Sequence, residues 1–204
     1  KMDLIEREYS LPNLIYDVQN MTVPRISAKM LRYLVYVDPT IPTKLIGDDG
    51  RIKQILINLI NNATKFTERG EISLVVSWEQ KEDDIARLSF AVRDTGIGIK
   101  EEDIGKLFTQ FSRVDTKKNR SIEGTGLGLA LSKELAMKMN GDIQLQSVYG
   151  EGSIFTAIVE QKIVSNKKMG LGEAGKKYAV LLLEGDKVRY QSYLQALNDL
   201  GIAE

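Results

Sequence analysis

The chain has 204 residues, 43% of them hydrophobic, so it is long enough to bury a full core. Its 28 basic and 28 acidic residues balance, which argues against a nucleic-acid-binding surface because such a surface needs an excess of positive charge. The absence of cysteine excludes disulfides and favours an intracellular, cytoplasmic protein, without excluding other locations. The absence of histidine removes the commonest general base and transition-metal ligand. No signal-peptide pattern or long apolar run occurs, so we expect no direct membrane contact.

The N-terminal part predicts one helix fragment, one helix and one strand. Residues 1–9 are short and charged, and we interpret them as the end of a helix that begins upstream. Leu11 and Pro12 then begin a helical pattern, because proline is tolerated in a first turn. Residues 32–38 are β-branched and aromatic and predict a strand, which two prolines end.

A second helix begins after residues 48–50 and carries the clearest apolar stripe, spaced to pack on a sheet. At 100° per residue, Asn58, Asn62 and Lys65 lie together on a flank beside that stripe. Asparagine is unfavourable in the interior of a helix, so we interpret these amides as functional. The alternative is that they are ordinary surface residues near the end of the helix. An amide oxygen can ligate Mg²⁺. The stripe comprises Ile52, Ile55, Leu56, Leu59, Ile60 and Ala63.

Alternating patterns then predict a hairpin over residues 71–79 and 85–94. A helix with Leu127, Ala130, Leu131, Leu135 and Met139 on its apolar side follows, and two more strands occupy residues 142–149 and 153–161. Runs of strands separate the helices, which predicts an α+β fold with helices on one face of a mixed sheet.

Two glycine clusters flank a polar segment over residues 100–123, which we interpret as a mobile lid. The first is Asp94-Thr95-Gly96-Ile97-Gly98-Ile99, and the second is Gly124-Thr125-Gly126-Leu127-Gly128-Leu129. Glycine lets a backbone approach a ligand closely, and glycines at a helix start leave N–H groups for phosphate. Either cluster alone is weak evidence, because ordinary loops use glycine and neither fits the dinucleotide fingerprint.

Residues 164–177 are polar and glycine-containing, and predict a linker. A solid apolar strand at residues 178–183 and a helix at residues 188–200 follow. One strand and one helix cannot bury a core of their own, so we expect the chain to end inside a second domain, residues 178–204.

Four motifs in order resemble the N, G1, F and G2 boxes of the sensor histidine kinase catalytic domain, which shares its ATP-binding fold with gyrase and MutL-type ATPases. The motifs are Asn58-x-x-x-Asn62-Ala63-x-Lys65-Phe66-Thr67, Asp94-x-Gly96-x-Gly98, Leu107-Phe108-x-x-Phe111-x-Arg113 and Gly124-Thr125-Gly126-Leu127-Gly128-Leu129. The resemblance implies a two-layer Bergerat fold over residues 10–163. Residues 178–204 resemble, more weakly, the start of a receiver domain, as in hybrid kinases.

The resemblance also implies roles for single residues. Asp94 would accept the adenine amino group, Asn62 would ligate Mg²⁺, and Phe66 would stack on the base. Lys65 and Arg113 would be catalytic, contacting phosphate and reaching the γ-phosphate. Phe108 and Phe111 would anchor the lid, a role that plain core aromatics also fit. The implied ATP-binding set is Asn58, Asn62, Lys65, Phe66, Asp94, Gly96, Gly98, Ile99, Phe108, Arg113, Gly124, Thr125, Gly126, Leu127 and Gly128.

Two departures refine the implied function. Asn58 stands where hydrolysing relatives carry a water-activating glutamate, which favours phosphoryl transfer to a protein over ATP hydrolysis. No histidine is present, so the acceptor must lie in an upstream dimerisation domain, with a downstream receiver domain or response regulator as partner. Receivers carry a pair of acidic residues that binds Mg²⁺. In the receiver-like part Gly185, between Glu184 and Asp186, occupies the position of the second acid, so we expect a degenerate receiver. The alternative to a kinase is a regulatory module in which nucleotide only orders the lid.

Overall fold

The computed structural model describes residues 3–82, 84–108, 127–169 and 187–199. In these ranges the chain forms a sheet of seven strands with helices against it. In chain order the elements are β1 (Arg7–Ser10), α1 (Leu11–Ala28), β2 (Arg32–Val37), β3 (Pro42–Gly47), α2 (Asp49–Phe66), β4 (Glu71–Glu82), β5 (Ile85–Asp94), α3 (Glu101–Ile104), α4 (Gly128–Lys138), β6 (Asp142–Val148), β7 (Gly152–Lys168) and α5 (Lys187–Asp199).

The sheet is mixed. Its strand order is β1-β3-β7-β5-β4-β2. Strand β6 pairs with the first half of β7, and β3 pairs with the last part of β7 along the same edge. Only β2 and β4 run parallel among these pairs. The long hairpin of β4 and β5 is the predicted one, and β5 continues the antiparallel order into β7. The end of β5 therefore lies in the middle of the sheet, between β4 and β7.

Helices α1, α2 and α4 cover one face of the sheet, as the sequence predicts. The stripe on α2 is buried throughout, and the side chain of Asp48 caps its start by accepting a hydrogen bond from the Arg51 N–H. The alternating residues of β4 and β5 meet this stripe, with Phe90 fully buried at the centre. Burial of this single apolar layer stabilises the fold.

Two predictions need correction, and one strand was not predicted. The helix end predicted over residues 1–9 is wrong in its described part, because residues 3–6 have no regular structure and Arg7–Ser10 form β1 and pair with β3. Strand β3 was not predicted, since its apolar residues are too few for a clear alternation. The linker predicted from residue 164 is wrong up to residue 168, because β7 continues to Lys168 and pairs there with β3. In both cases pairing with a neighbouring strand orders a polar segment.

The predicted C-terminal helix is confirmed as α5, which contacts β2 at the edge of the sheet. The strand predicted at residues 178–183 and the linker beyond residue 169 lie outside the described residues. Across the described ranges, no helix has both the length and the apolar character that crossing a membrane requires.

A lysine fixes the C-terminal end of α2. The ammonium of Lys29, just after α1, donates to the backbone carbonyl oxygens of Thr64, Lys65 and Thr67 at 2.7, 3.2 and 3.2 Å. The last carbonyls of a helix have no partner within the helix, and a positive charge there is also favoured by the helix dipole. Lys29 thus holds the turn that carries Lys65 and Phe66.

We expect Lys29→Met to lower the free energy of unfolding by about 1–2 kcal/mol, because three carbonyl oxygens lose a charged donor. Urea denaturation measures this loss. Lys138→Met is the matched control, since Lys138 is an exposed lysine in the last turn of α4. Equal losses in the two variants would contradict a capping role for Lys29.

Candidate functional site

The site is centred on Asp94, the last residue of β5, which is only 6% exposed. Its carboxylate accepts a hydrogen bond from the Gly96 N–H at 2.8 Å, and the Ser153 N–H on β7 also donates to it. An ionised carboxylate is costly to bury unless such donors surround it. Two backbone donors therefore hold an acceptor group at the end of the central hairpin.

Burial raises the pKa of the Asp94 carboxyl above its ordinary value, and the hydrogen bonds from Gly96 and Ser153 oppose that rise. The direction shows that desolvation outweighs the two donors. An ionised carboxylate can accept about four hydrogen bonds, so the two donated by Gly96 and Ser153 leave room for a further donor, which would stabilise the charged form.

The loop after Asp94 packs against the end of α2. A Cβ atom at Gly96 would lie 2.5 Å from the carbonyl oxygen of Phe66 and 2.8 Å from Oδ1 of Asp94. The Ile97 N–H donates to the same Phe66 carbonyl at 3.3 Å. No side chain fits at residue 96, so the backbone of the loop lies directly on the helix end.

The other side of this loop lies on the turn between β6 and β7. Gly98 has a φ of +63°, which favours glycine, and a Cβ there would be 2.0 Å from the Val148 carbonyl oxygen. The Gly150 N–H donates to the Ile97 carbonyl at 2.8 Å, and Ile99 donates its N–H to Oγ of Ser147 at 2.8 Å. The loop is held from both sides.

The polar residues on the flank of α2 differ in what they contact. Asn61 accepts from Nη1 of Arg25 on α1 at 3.3 Å, so it belongs to the helix pair α1 and α2. Asn62 is half-buried, and within the described ranges its side chain makes no hydrogen bond. The Lys65 ammonium lies 5.0 Å from the centroid of the Phe66 ring. Asn62 and Lys65 are one helical turn apart on the same flank.

Asn58 joins α2 to α4. Its Nδ2 donates to Oγ of Ser132 at 2.9 Å, and a Cβ at Gly128 would lie 2.4 Å from its Oδ1. Ser132 is buried, so this bond is part of the helix interface. The predicted asparagine therefore connects the α2 flank to the first turn of α4, which begins at Gly128 after Leu127 without a side-chain cap.

Phe108 lies at the edge of the described residues, partly buried against the core and 4.8 Å beneath the ammonium of Lys133 on α4. The predicted site residues Arg113, Gly124, Thr125 and Gly126, together with Phe111, lie outside the described residues. The lid prediction also falls mainly on those residues, although its start contains the short helix α3.

The sequence did not single out three hydroxyl side chains that the structure brings to the site. Ser147 and Ser153 have their Oγ atoms 3.0 Å apart beside the loop, and Oγ of Thr95 accepts from the Glu71 N–H at 3.0 Å. The only sequence signal was that both serines flank the turn of residues 148–152. Strand pairing places them opposite the end of β5.

The geometry fits a flat ligand with an amine donor and an anionic tail. Asp94 offers a buried acceptor, and Gly96 lets the loop beside it lie directly on the end of α2. Asn62 supplies a neutral oxygen on the neighbouring flank, which suits a magnesium ion, and Lys65 supplies a positive charge for phosphate.

We expect Gly96→Ala to destabilise the protein by about 1–3 kcal/mol, because the added Cβ meets the backbone of α2 and cannot be accommodated by a side-chain rotation. Urea denaturation measures the change. Gly105→Ala is the control, since no atom lies within 4 Å of a Cβ built there. A neutral Gly96→Ala would show that the loop is not held against α2.

We also expect the contribution of Asp94 to the free energy of unfolding to fall as pH rises. Its pKa is higher in the folded than in the unfolded chain, so the folded state binds more protons in the window just above the ordinary value of about 4. The free energy of unfolding of the wild type, relative to Asp94→Asn, should therefore fall as pH rises through that window. Urea denaturation at a series of pH values measures this, and a difference that is constant with pH would contradict it.

Known proteins support a family assignment. The family model for histidine kinase-, DNA gyrase B- and HSP90-like ATPases matches residues 47–163. Sensor histidine kinase GacS of Pseudomonas protegens is 35% identical over 99% of this chain, which spans 22% of GacS. Hybrid signal transduction histidine kinase B of Dictyostelium discoideum is 38% identical over 76% of the chain, which spans 8% of that protein. The chain thus corresponds to a minor part of these relatives.

Two solved structures are similar in fold. Full-length ShkA in complex with AMPPNP superposes with a TM-score of 0.77 and 25% identity, over 98% of this chain and 40% of ShkA. The nucleotide-free catalytic domain of histidine kinase ThkA gives a TM-score of 0.60 and 26% identity, over 76% of this chain and 97% of that domain. The predicted α+β fold is confirmed as that of histidine kinase catalytic domains. This chain belongs to the histidine kinase-, DNA gyrase B- and HSP90-like ATPase family.

Proposed function

We propose that this chain is the ATP-binding catalytic domain of a hybrid sensor histidine kinase in two-component signalling. It would bind Mg·ATP and position the γ-phosphoryl group for transfer to a histidine outside the chain, since the chain itself has none. The curated relatives carry the names of sensor and hybrid histidine kinases, which supports this assignment.

The observation that carries the proposal is the buried carboxylate of Asp94 at the start of a glycine-containing loop. The adenine amino group is a hydrogen-bond donor, and the desolvated Asp94 is the acceptor that fits it. Gly96 lets the loop after Asp94 lie directly on α2, because any larger residue would meet the Phe66 carbonyl and the Asp94 carboxylate. Recognition of the base would therefore depend on one charge-assisted hydrogen bond in a dry site.

Asn58 favours transfer over hydrolysis. A carboxylate at this position of α2 could accept a proton from water, but an amide cannot. The Asn58 amide is moreover engaged with Ser132 of α4, where it supports the helix interface. A hydrolysing ATPase of the same fold is therefore disfavoured.

We assign the phosphate end of the site to Asn62 and Lys65. When bound, Mg²⁺ would neutralise part of the phosphate charge and hold the phosphate oxygens in one arrangement. Asn62 can contribute a neutral oxygen to that ion, and the Lys65 ammonium can attract the phosphates directly. We propose Arg113 and the glycines Gly124, Gly126 and Gly128 as further phosphate contacts.

We further propose that residues 178–204 begin a receiver-like domain, and that the partners are an upstream histidine-bearing dimerisation domain and a receiver or response regulator. The match to GacS extends over 99% of the chain and so includes this part. We propose a cytoplasmic location, with any membrane anchor of the full-length protein outside this chain. A regulatory module that binds nucleotide without transfer is the alternative, and retention of Asn62 and Lys65 beside Asp94 disfavours it.

Calorimetric titration with a non-hydrolysable ATP analogue, with and without Mg²⁺, tests the proposal. We expect Asp94→Asn to weaken binding by about 10- to 150-fold, because one charge-assisted hydrogen bond contributes about 1.5–3 kcal/mol. We expect Asn62→Ala to remove mainly the Mg²⁺ dependence.

The control is Asn61→Ala, since Asn61 is the neighbouring asparagine but faces Arg25. It should leave both the affinity and its Mg²⁺ dependence unchanged. If the wild type shows no binding at millimolar nucleotide, the proposed function is wrong. If it binds and a histidine-bearing helical domain added to it is not phosphorylated from ATP, the regulatory module is the better assignment.

A further inference from the structure

Ser147, the sixth residue of β6, makes an unusual number of polar contacts for one hydroxyl. Its Oγ accepts from the Ile99 N–H at 2.8 Å, donates to the Gly152 carbonyl oxygen at 2.9 Å, and lies 3.0 Å from Oγ of Ser153. A hydroxyl has one proton and two acceptor lone pairs. Since the proton goes to Gly152, the Ser153 hydroxyl must donate to Ser147, and every hydrogen-bonding position of Ser147 is then used.

These contacts connect the two ends of the loop of residues 94–99. At its far end, Ile99 is held by Ser147. At its near end, Asp94 lies opposite Ser153 in the register of β5 and β7, and the Ser153 N–H donates to the Asp94 carboxylate. Ser147 contacts both Ile99 and Ser153, so a single hydroxyl links the exit of the loop to a donor of the carboxylate.

The surrounding backbone leaves little room for another arrangement. Gly152 has a φ of +123°, and a Cβ there would lie 2.1 Å from the Asp94 carbonyl oxygen. The turn is also tied to the loop by the bond from the Gly150 N–H to Ile97. Loss of the Ser147 hydroxyl would therefore leave the Ile99 N–H and the Gly152 carbonyl without their partner, and the loop could relieve this only by moving.

We propose that Ser147 is a positioning residue for base recognition, which fixes the Asp94 carboxylate in the orientation that selects a purine carrying an exocyclic amine. The inference depends on the proposed function, because it assigns a role within the same nucleotide site. Ser147 would touch neither the base nor the phosphates. It acts through Ile99 and Ser153.

The test compares two nucleotides by calorimetry, a non-hydrolysable analogue of ATP and its inosine counterpart, in which a carbonyl replaces the amine. We expect the wild type to prefer the adenine analogue. In Ser147→Ala, we expect adenine binding to weaken by about 5- to 30-fold, as for a lost hydrogen-bond partner at a partly buried position, and the ratio of the two affinities to fall towards one.

Two variants separate positioning from general stability. Ser147→Thr keeps the hydroxyl and should restore the preference for adenine. Ser77→Ala makes the same chemical change at an exposed position in β4 and should leave both affinities unchanged. If Ser147→Ala weakens both nucleotides equally, so that the ratio is retained, the positioning role is overturned. If the wild type binds neither nucleotide, the proposed function fails instead.

A measurement on the wild type covers the case in which Ser147→Ala does not fold. Amide hydrogen exchange of the nucleotide-free chain should show the Ile99 N–H protected, because it is bonded to Ser147. Exchange of that amide at the rate of an unstructured peptide would overturn the proposal, since the loop end would then not be held.

Discussion

The structure around the site depends on one costly constraint, a carboxylate that is buried at the end of the central hairpin. Hydrogen bonds from the backbone N–H groups of Gly96 and Ser153 offset part of the free-energy cost of burying the Asp94 carboxylate. Burial still raises its pKa. The loop beyond it must bend back to supply the first donor, and β7 must begin opposite β5 to supply the second. A carboxylate with remaining acceptor capacity is thus fixed before any ligand arrives, which is the condition for selective recognition.

Helix α2 connects Asp94 to the rest of the proposed site. Its buried stripe packs on the sheet, its flank carries Asn62 and Lys65, and its last carbonyls receive both the Lys29 ammonium and the loop after Asp94. Asn58 and Ser132 then tie α2 to α4. Recognition of a base at one end and of phosphate along the flank would consequently be set by one rigid helix, because a displacement of α2 moves both.

Much of the site could be predicted from residue types and their spacing. Asn62 and Lys65 on one flank follow from the 100° helical repeat. Gly96 and Gly98 were predicted to let the backbone approach a ligand, and the structure shows them packed against α2 and against the turn between β6 and β7. Ser147 and Ser153 could not be predicted, because a serine in a strand carries no local signal and acquires its role only through the strand opposite it. For the same reason Asn61 and Asn62 look equivalent in the sequence, while contact with Arg25 assigns only Asn61 to the interface with α1.

Local periodicity and glycine chemistry encode the α+β class, the long hairpin, the stripe of α2 and the position of the loop of residues 94–99, so these features could be predicted. The participation of residues 7–10 and 164–168 in the sheet, and the contacts of two serines with the loop of Asp94, became visible only in the folded chain. Those features arise from pairing between segments far apart in the chain. Such pairing satisfies backbone hydrogen bonds at a cost in loop-closure entropy, and no local pattern records which partner a polar segment will find.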